Sequence, residues 1–281
     1  MQLGDYKINP IECGTLGLDG GAMFGVIPKT IWEKTNPADD RNRITLAMRA
    51  MLIQGKGMNL LVECGAGDKF NDKLKGIYSI DYSQSSLESS LSKAGLNRED
   101  ITHIVLTHLH FDHTGGATRL NGEGVLSATF PNATYFIHQT QWDTAFNPTP
   151  RDKASYFHEN YELLKTNGQL ELVQNEGELF AGIETIVVNG HTPGQMLIKI
   201  SGGERVLLYI ADLVPTSSHL PVPFLMSYDL EPLKTMEEKE RVLSQAVEEN
   251  WILFYGHDPF IVATEVINSD KGFIAGEEVN I

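Results

Sequence analysis

The sequence predicts an α/β fold, with strands and helices in both halves of its 281 residues. Apolar runs of strand length alternate with segments in which apolar residues recur at helical spacing. Histidines and aspartates stand at the ends of several of the apolar runs. No internal repeat or low-complexity tract divides the chain, and its length suits one large domain, with two domains as the alternative. We therefore expect a single domain over 1–281, with an N-terminal extension of about 1–57.

The first half contains a strand, a helix and a second strand in series. MNLLVECG, residues 58–65, is an apolar run of strand length that ends in glycine. Ser85 and Glu88 match a capping box and predict a helix that ends at Gly95. ITHIVLTH, residues 101–108, is β-branched and apolar and predicts a buried strand. Such a crossover joins parallel strands.

The second half is dominated by strands and ends with one long helix. Further strands are predicted for ATYFIH (133–138), for the two halves of GIETIVVNGHTPGQMLIKI (182–200), which breaks at GHTPG, and for RVLLYIAD (205–212). Thr235 and Glu238 match a second capping box, and the helix they predict is followed by WILFYGHD (251–258), another strand.

Charge and composition limit the classes of partner. The chain has 22 basic and 37 acidic side chains, a formal net charge of −15, and no run of lysines and arginines. This balance disfavours nucleic acids and anionic membranes, so we expect a small-molecule partner. The N-terminal residues show no signal-peptide pattern, and we expect a cytoplasmic protein. A homodimer is left open.

The densest chemical signal is THLHFDHTGG, which holds three histidines and an aspartate. Residues i and i+2 of an extended segment point the same way, so His108 and His110 can reach one ion together. Asp112 and His113 follow as the chain leaves the strand and suit a second ion better. Gly115 and its neighbour would allow a tight turn into a following helix. The alternative interpretation is a chance cluster of ordinary histidines.

The order of motifs resembles the metallo-β-lactamase superfamily of metal-dependent hydrolases. HxHxDH is followed by GHTPG, by the strand-end aspartate of IADL and by GHD, from about residue 58 to residue 258. The resemblance implies an αββα sandwich, two mixed sheets with helices on the outer faces and the metals at one edge. It also implies the metal ligands: His108, His110 and His191 for one ion, Asp112, His113 and His257 for the other, and Asp212 as the bridge.

Such a site implies a dinuclear hydrolase. Zinc is the first expectation for the two divalent ions, with manganese, iron or cobalt as alternatives. Metal-bound hydroxide would attack a lactone or ester carbonyl, with Asp112 and Asp212 assisting proton transfer. Flavodiiron reductases have Glu at the position of His110, and the commonest zinc β-lactamases have Cys at that of Asp212, so neither activity is expected.

Two apolar segments resemble the quorum-quenching lactonase branch, YtnP-like proteins in particular, and methyl-parathion-hydrolase-like enzymes. They are DGGAMFGVIPK (19–29), for which a β-hairpin on the core is the alternative, and ADLVPTSSHLPVPFLMSYD (211–229). The N-terminal extension would thus pack near the active site. The predicted pocket residues are Met23, Phe24, Phe111, Phe224, Leu225 and Met226.

One position departs from the lactonase pattern. The best-known acyl-homoserine lactonases have a carbonyl-assisting tyrosine three residues after the bridging aspartate, where this chain has Pro215. His219 is the candidate catalytic substitute. N-acyl-homoserine-lactone-type substrates are favoured. The alternatives are an organophosphate hydrolase of the phosphotriesterase kind and a non-catalytic metal-binding sensor.

Overall fold

The computed structural model describes residues 1–203 and 205–281. Its strands are β1 (Gln2–Leu3), β2 (Tyr6–Asp19), β3 (Arg43–Gly55), β4 (Met58–Val62), β5 (His103–Val105), β6 (Thr118–Leu120), β7 (Leu126–Ala128), β8 (Thr134–His138), β9 (Leu170–Val173), β10 (Gly177–Phe180), β11 (Ile183–Val188), β12 (Gln195–Gly202), β13 (Arg205–Tyr209), β14 (Ile252–Phe254), β15 (Ala263–Ser269) and β16 (Gly272–Glu278). Its helices are α1 (Gly20–Phe24), α2 (Lys29–Trp32), α3 (Asp72–Ile77), α4 (Leu87–Lys93), α5 (Phe111–Thr114), α6 (Gln139–Phe146), α7 (Glu162–Thr166) and α8 (Pro232–Glu248).

The first sheet has seven strands in the order β1-β2-β3-β4-β5-β8-β9. Pairing is antiparallel from β1 to β4 and parallel from β4 to β9. The parallel pair of β4 and β5, with α4 between them in the chain, confirms the predicted crossover. The expected extension, about 1–57, supplies β1, β2 and β3 and is thus part of this sheet.

The second sheet also has seven strands, in chain order from β10 to β16. Its pairs are antiparallel except for β13 and β14, which run parallel. The antiparallel pairing of β11 with β12 confirms that residues 182–200 form two strands around GHTPG. Because β13 and β14 are parallel, the residues that follow them emerge at the same edge of the sheet.

The two sheets pack face to face around a shared apolar core. Successive residues of β3 point to opposite faces, so Met51 and Ile53 belong to the core between the sheets, whereas Leu52 belongs to the core on the outer face of the first sheet. Helix α4 covers that outer face through residues such as Leu91, and α8 packs against β15 of the second sheet. The fold is the expected αββα sandwich. Among the described residues, no helix combines the length and the apolar character that crossing a bilayer requires.

The helix starts differ from both predicted capping boxes. The N-cap of α4 is Ser86, whose side chain accepts the Ser89 N–H at 3.2 Å, so the box lies one residue later than the predicted Ser85. Helix α8 begins at Pro232, before the predicted Thr235, because proline suits the first helical position. Glu238 therefore lies inside the helix and is free for another role.

The segment that follows β2 is a short helix, α1, and not the hairpin that was the alternative for this segment. The side chain of Asp19 accepts the Ala22 N–H at 2.8 Å and caps the helix. The cap outweighs the poor helix propensity of the two glycines that follow it. Met23 and Phe24 end this helix, and both are buried.

Candidate metal centre

The seven predicted ligands converge at one edge of the sandwich, each just beyond the end of a strand. The loop after β5 carries His108 and His110, α5 carries Asp112 and His113, the loop between β11 and β12 carries His191, a short turn after β13 carries Asp212, and the chain beyond β14 carries His257. Four of these residues thus follow a strand of the first sheet and three follow strands of the second. Six of the seven side chains are buried, and Asp112 is half-buried.

Two glycines after α5 allow the ligand segment to lie against the loop that follows β4. A Cβ on Gly115 would fall 1.9 Å from the Ala66 carbonyl oxygen, and one on Gly116 would fall 2.1 Å from that of Cys64. Both glycines have ordinary negative φ angles, so they are needed for their small size. The predicted turn into a following helix is wrong in order, because α5 precedes the glycines and a short 3-10 turn leads from them into β6.

The first set of ligand atoms has the spacing of a tetrahedral metal site. Nδ1 of His110 lies 3.1 Å from Nε2 of His108 and 3.2 Å from Nε2 of His191. Oδ2 of Asp212 lies 3.3 Å from Nε2 of His191 and 3.8 Å from Nε2 of His108. A regular tetrahedron with metal–ligand distances of about 2.0 Å has edges of about 3.3 Å. The four atoms can therefore surround one cation.

The second set repeats this arrangement around the other carboxylate oxygen of Asp212. Its Oδ1 lies 3.2 Å from Nε2 of His257 and 3.5 Å from Nε2 of His113, and the two nitrogens are 3.1 Å apart. Oδ2 of Asp112 lies 3.6 Å from Nε2 of His257 and 3.7 Å from that of His113. The two sets meet at Asp212, as a bridging ligand requires.

The contacts behind two imidazoles of the second set direct their lone pairs toward each other. Nδ1 of His257 donates to the Ala47 carbonyl oxygen at 2.8 Å, and Nδ1 of His113 lies 3.2 Å from a carboxylate oxygen of Glu63. Their Nε2 atoms therefore face each other as lone pairs unless a proton or a cation lies between them. Oδ1 of Asp212 is buried without a hydrogen-bond partner in the described chain. A divalent cation would satisfy all three atoms, so the residues fit the expected metal.

Burial favours the unprotonated form of two ligand histidines, whereas the anionic carboxylate of Asp212 favours the protonated form of His257. Burial lowers the pKa of His108 well below its usual range, with His113 and His110 adding to the effect, and burial likewise lowers the pKa of His110. At Asp212 burial alone would raise the pKa, but His113 and His257 outweigh it and hold that pKa well below its usual range. Burial would likewise lower the pKa of His257, and Asp212 raises it instead. A cation that binds to His257 must therefore displace its proton.

Two carboxylates that the sequence did not indicate hold the ligands from behind. Nδ1 of His191 donates to Oδ1 of Asp229 at 2.8 Å, and the other oxygen of Glu63 accepts the Thr107 N–H at 2.7 Å. Such partners fix the tautomer and direction of a ligand histidine. Glu63 directly follows β4, which pairs with β5, and the loop after β5 carries His108 and His110. An acidic residue at the end of a neighbouring strand is therefore a usable signal. Asp229 is 38 residues from His191, and no spacing rule connects them.

A cavity of about 420 Å³ opens onto the cluster. Asp112, Asp212 and three of the cluster histidines, His110, His191 and His257, form part of its wall. Of the predicted pocket residues, Met23, Phe111 and Met226 line it. Further lining residues that the sequence did not indicate are Leu18, Leu46, Tyr78, Arg151, Asp152, Ala154, Ser155, Ser227 and Tyr228.

Three predicted pocket residues are not on this wall, which corrects that part of the prediction. Phe24 has 0% exposure and stacks on His219 with ring centroids 4.2 Å apart. Phe224 packs edge-on against Phe24 at 6.3 Å, and Leu225 is also absent from the lining. The apolar character of these segments stabilises the wall from behind, and sequence hydrophobicity alone does not separate the two faces.

His219 does not substitute for the missing lactonase tyrosine. Its Nε2 donates to the Met23 carbonyl oxygen and its Nδ1 lies within hydrogen-bond distance of Thr216 Oγ1, both at 2.8 Å. The side chain is fully buried, does not line the cavity, and burial lowers its pKa to about 3. With both nitrogens engaged, the neutral ring tethers the end of α1 to the loop after β13.

Comparisons with known proteins show the family to which the fold belongs. A family model described as the Metallo-beta-lactamase superfamily matches residues 49–257. An N-acyl homoserine lactonase of Bacillus cereus is 28% identical over 173 residues, which cover 60% of this chain and 60% of the relative. The N-acyl homoserine lactonase AttM of Rhizobium radiobacter is 26% identical over 175 residues, 59% of this chain and 61% of the relative. The matches thus span about 60% of these relatives' own length.

Solved structures resemble the chain over its whole length. A probable metal-dependent hydrolase from Staphylococcus aureus superposes with a TM-score of 0.87 at 29% identity and covers 100% of both chains. AidC, described as a dizinc quorum-quenching lactonase in complex with a product, has a TM-score of 0.83 at 23% identity, with 100% and 97% coverage, a similarity that shows the fold alone. Because the family model matches about three quarters of the sequence, the chain belongs to the metallo-beta-lactamase superfamily.

Proposed function

We propose that the protein is a dinuclear metal-dependent hydrolase that opens lactones or related esters, with N-acyl homoserine lactones as the favoured substrates. One observation carries the proposal: two sets of four ligand atoms share the Asp212 carboxylate beside a cavity of about 420 Å³. The relatives named as N-acyl homoserine lactonases support the choice of substrate.

Two groups of residues would hold the two ions, and the distances between their ligand atoms support this assignment. The first set is His108, His110, His191 and Asp212, and the second is Asp112, His113, His257 and Asp212. Imidazole and carboxylate donors at tetrahedral spacing suit zinc, with manganese, iron or cobalt as alternatives. When bound, such ions acidify a water molecule and polarise a carbonyl oxygen.

Asp112 is the group we assign to proton transfer. One of its oxygens belongs to the second ligand set, and the residue also lines the cavity. No protein donor is hydrogen-bonded to this carboxylate in the described part of the chain, so it can accept a proton from the attacking water and return it to the leaving alkoxide oxygen. Asp212 has one oxygen in each ligand set and thereby fixes the position of the two sets relative to each other.

The cavity wall fits a neutral substrate with an apolar chain. Leu18, Leu46 and Met226 line one part of it, and its volume lies within the ordinary range for small-molecule sites. The net charge of −15 disfavours an anionic substrate. An acyl chain on the apolar wall would leave the lactone ring over the ligand sets.

The proposal is tested with metal-depleted protein that is reloaded with Zn²⁺ or Mn²⁺. N-hexanoyl homoserine lactone, γ-butyrolactone, an aryl acetate and a paraoxon-type triester form the panel, and kcat/KM is measured for each. We expect metal-dependent turnover with the N-acyl lactone highest. Higher triester turnover would favour the organophosphate alternative. Full metal loading without turnover of any substrate would favour the non-catalytic sensor.

A further inference from the structure

Helix α8 carries a buried acid and a buried base at adjacent positions. Glu238 is 8% exposed and Lys239 is 0% exposed, and neither belongs to the ligand sets or lines the cavity. Neighbouring residues of a helix point about 100° apart, so the two side chains reach different parts of the molecule. Burying a charge is costly unless hydrogen bonds compensate for it, and each of these charges has such bonds.

Glu238 binds the backbone directly before His191. Its Oε1 accepts the Asn189 N–H at 2.8 Å and its Oε2 accepts the Gly190 N–H at 2.9 Å. Gly190 also packs against the helix so closely that a Cβ there would lie 2.4 Å from the Thr235 nitrogen. The position of this metal-ligand loop is therefore set by α8.

Lys239 binds a different loop, the one that leads to the cavity wall. Its Nζ donates to the carbonyl oxygens of His219 at 2.6 Å, Pro221 at 2.9 Å and Phe224 at 2.9 Å. These bonds use all three hydrogens of the ammonium group. Two residues beyond Phe224 the chain reaches Met226, which lines the cavity.

A second contact extends this restraint to Met23, which also lines the cavity. His219, whose carbonyl oxygen Lys239 binds, donates from Nε2 to the carbonyl oxygen of Met23, another cavity residue. Lys239 thus restrains both methionines of the wall without touching the cavity itself.

We propose that Glu238 and Lys239 are a pair of positioning residues with separate tasks. Glu238 holds His191 in place for metal retention by the first ligand set, and Lys239 holds the wall formed by Met23 and Met226 for substrate binding. The polarity of each side chain matches its task, because a carboxylate only accepts hydrogen bonds and an ammonium group only donates them. The substrate half of this inference rests on the proposed function, and the metal half does not.

The test compares Glu238→Gln with Lys239→Met. In Glu238→Gln an amide NH₂ meets one of the two backbone N–H groups, and we expect zinc affinity to fall about tenfold while KM for the lactone stays within about twofold. In Lys239→Met three carbonyl groups lose their donor, and we expect KM to rise about tenfold with kcat within about threefold and zinc affinity unchanged. Lys239→Arg, which keeps charge and donors, should return KM to within about threefold of the wild-type value.

Amide hydrogen exchange gives a readout that is independent of turnover. We expect faster exchange at residues 189–191 in Glu238→Gln and at residues 219–226 in Lys239→Met, each without change in the other segment. Glu237→Gln and Arg241→Met, exposed neighbours on the same helix, are the controls and should alter neither segment. If both buried variants change zinc affinity, KM and both segments together, α8 has only a structural role and the proposal is overturned. If the wild type opens no lactone, the proposed function fails, and zinc affinity and exchange still decide the pairing.

Discussion

Replacing Asp229 with asparagine is expected to weaken zinc binding by the first ligand set about 10- to 100-fold. Asp229 accepts two hydrogen bonds, from Nδ1 of His191 at 2.8 Å and from the Met226 N–H at 3.2 Å. Asparagine has one carbonyl oxygen for these two donors. In one orientation its NH₂ group faces the Met226 N–H, and that hydrogen bond is lost. In the other orientation the NH₂ group faces Nδ1 of His191, which moves the ring proton to Nε2, the ligand atom. A lost hydrogen bond to a charged group corresponds to about 1.5–3 kcal/mol, which agrees with that range.

The assay is a zinc titration of metal-free protein against a chromophoric chelator at fixed pH. Asp152→Asn is the matched control, because Asp152 is also buried but accepts a hydrogen bond from Thr149 Oγ1 at 2.6 Å and none from a histidine. Its zinc affinity should stay within about twofold of the wild-type value. Equal affinity of wild type and Asp229→Asn would refute the reasoning. An equal loss in Asp152→Asn would assign the effect to the removal of a buried negative charge rather than to the hydrogen bond of His191.

Further predictions concern the ligands, the glycine contact and pH. Asp212→Ala should reduce the content of both metals, and His110→Ala should reduce only the metal content of the first set. His103→Ala, outside the cluster, is the control and should keep the wild-type metal content. Full metal content by elemental analysis in both ligand variants would contradict the assignments. Zinc affinity should fall as pH falls, since protons compete for the imidazoles whose pKa the carboxylates raise; a flat profile between pH 8 and pH 6 would argue against this competition. Gly115→Ala should destabilise the fold by about 1–3 kcal/mol in urea unfolding, because its Cβ would overlap a backbone oxygen. Burial lowers the pKa of His219 to about 3, so below the ordinary histidine pKa protonation of this residue favours the unfolded state. The free energy of unfolding should therefore decrease from about pH 6.5 toward pH 3, by up to about 4–5 kcal/mol. His219→Gln should show a smaller loss on acidification.

The ligands were predictable because their signal is local or ordered along the chain. His108 and His110 stand two apart after an apolar strand, and GHTPG, IADL and GHD follow in family order. Asp229 and Glu63 were not predictable in the same way. Glu63 directly follows a strand, which is a partial signal. The role of both residues nevertheless depends on which backbone or imidazole nitrogen lies opposite them in the folded sandwich.

Hydrophobicity indicated the pocket segments but not the side chains that face the cavity. Met23 lines it, whereas its neighbour Phe24 is turned into the core by the short helix α1. His219 illustrates the same limit, since a loop histidine near the bridging aspartate is equally compatible with catalysis and with the buried tether that it forms. Likewise, Glu238 has the spacing of a capping residue, but Pro232 starts the helix earlier and leaves Glu238 to bind another loop.

The division of the ligands between the sheets has a consequence for folding. The first set takes His108 and His110 from loops of the first sheet and its other two members from the second, and the second set is divided in the same way. Neither half of the sandwich alone offers more than a pair of ligands to either ion, so tight binding belongs to the assembled protein. Each cation would then act as a cross-link between the halves, and free metal at 100 times its Kd would add about 2.7 kcal/mol to their association. Chelation should therefore loosen the whole sandwich, well beyond the edge where the ligands lie.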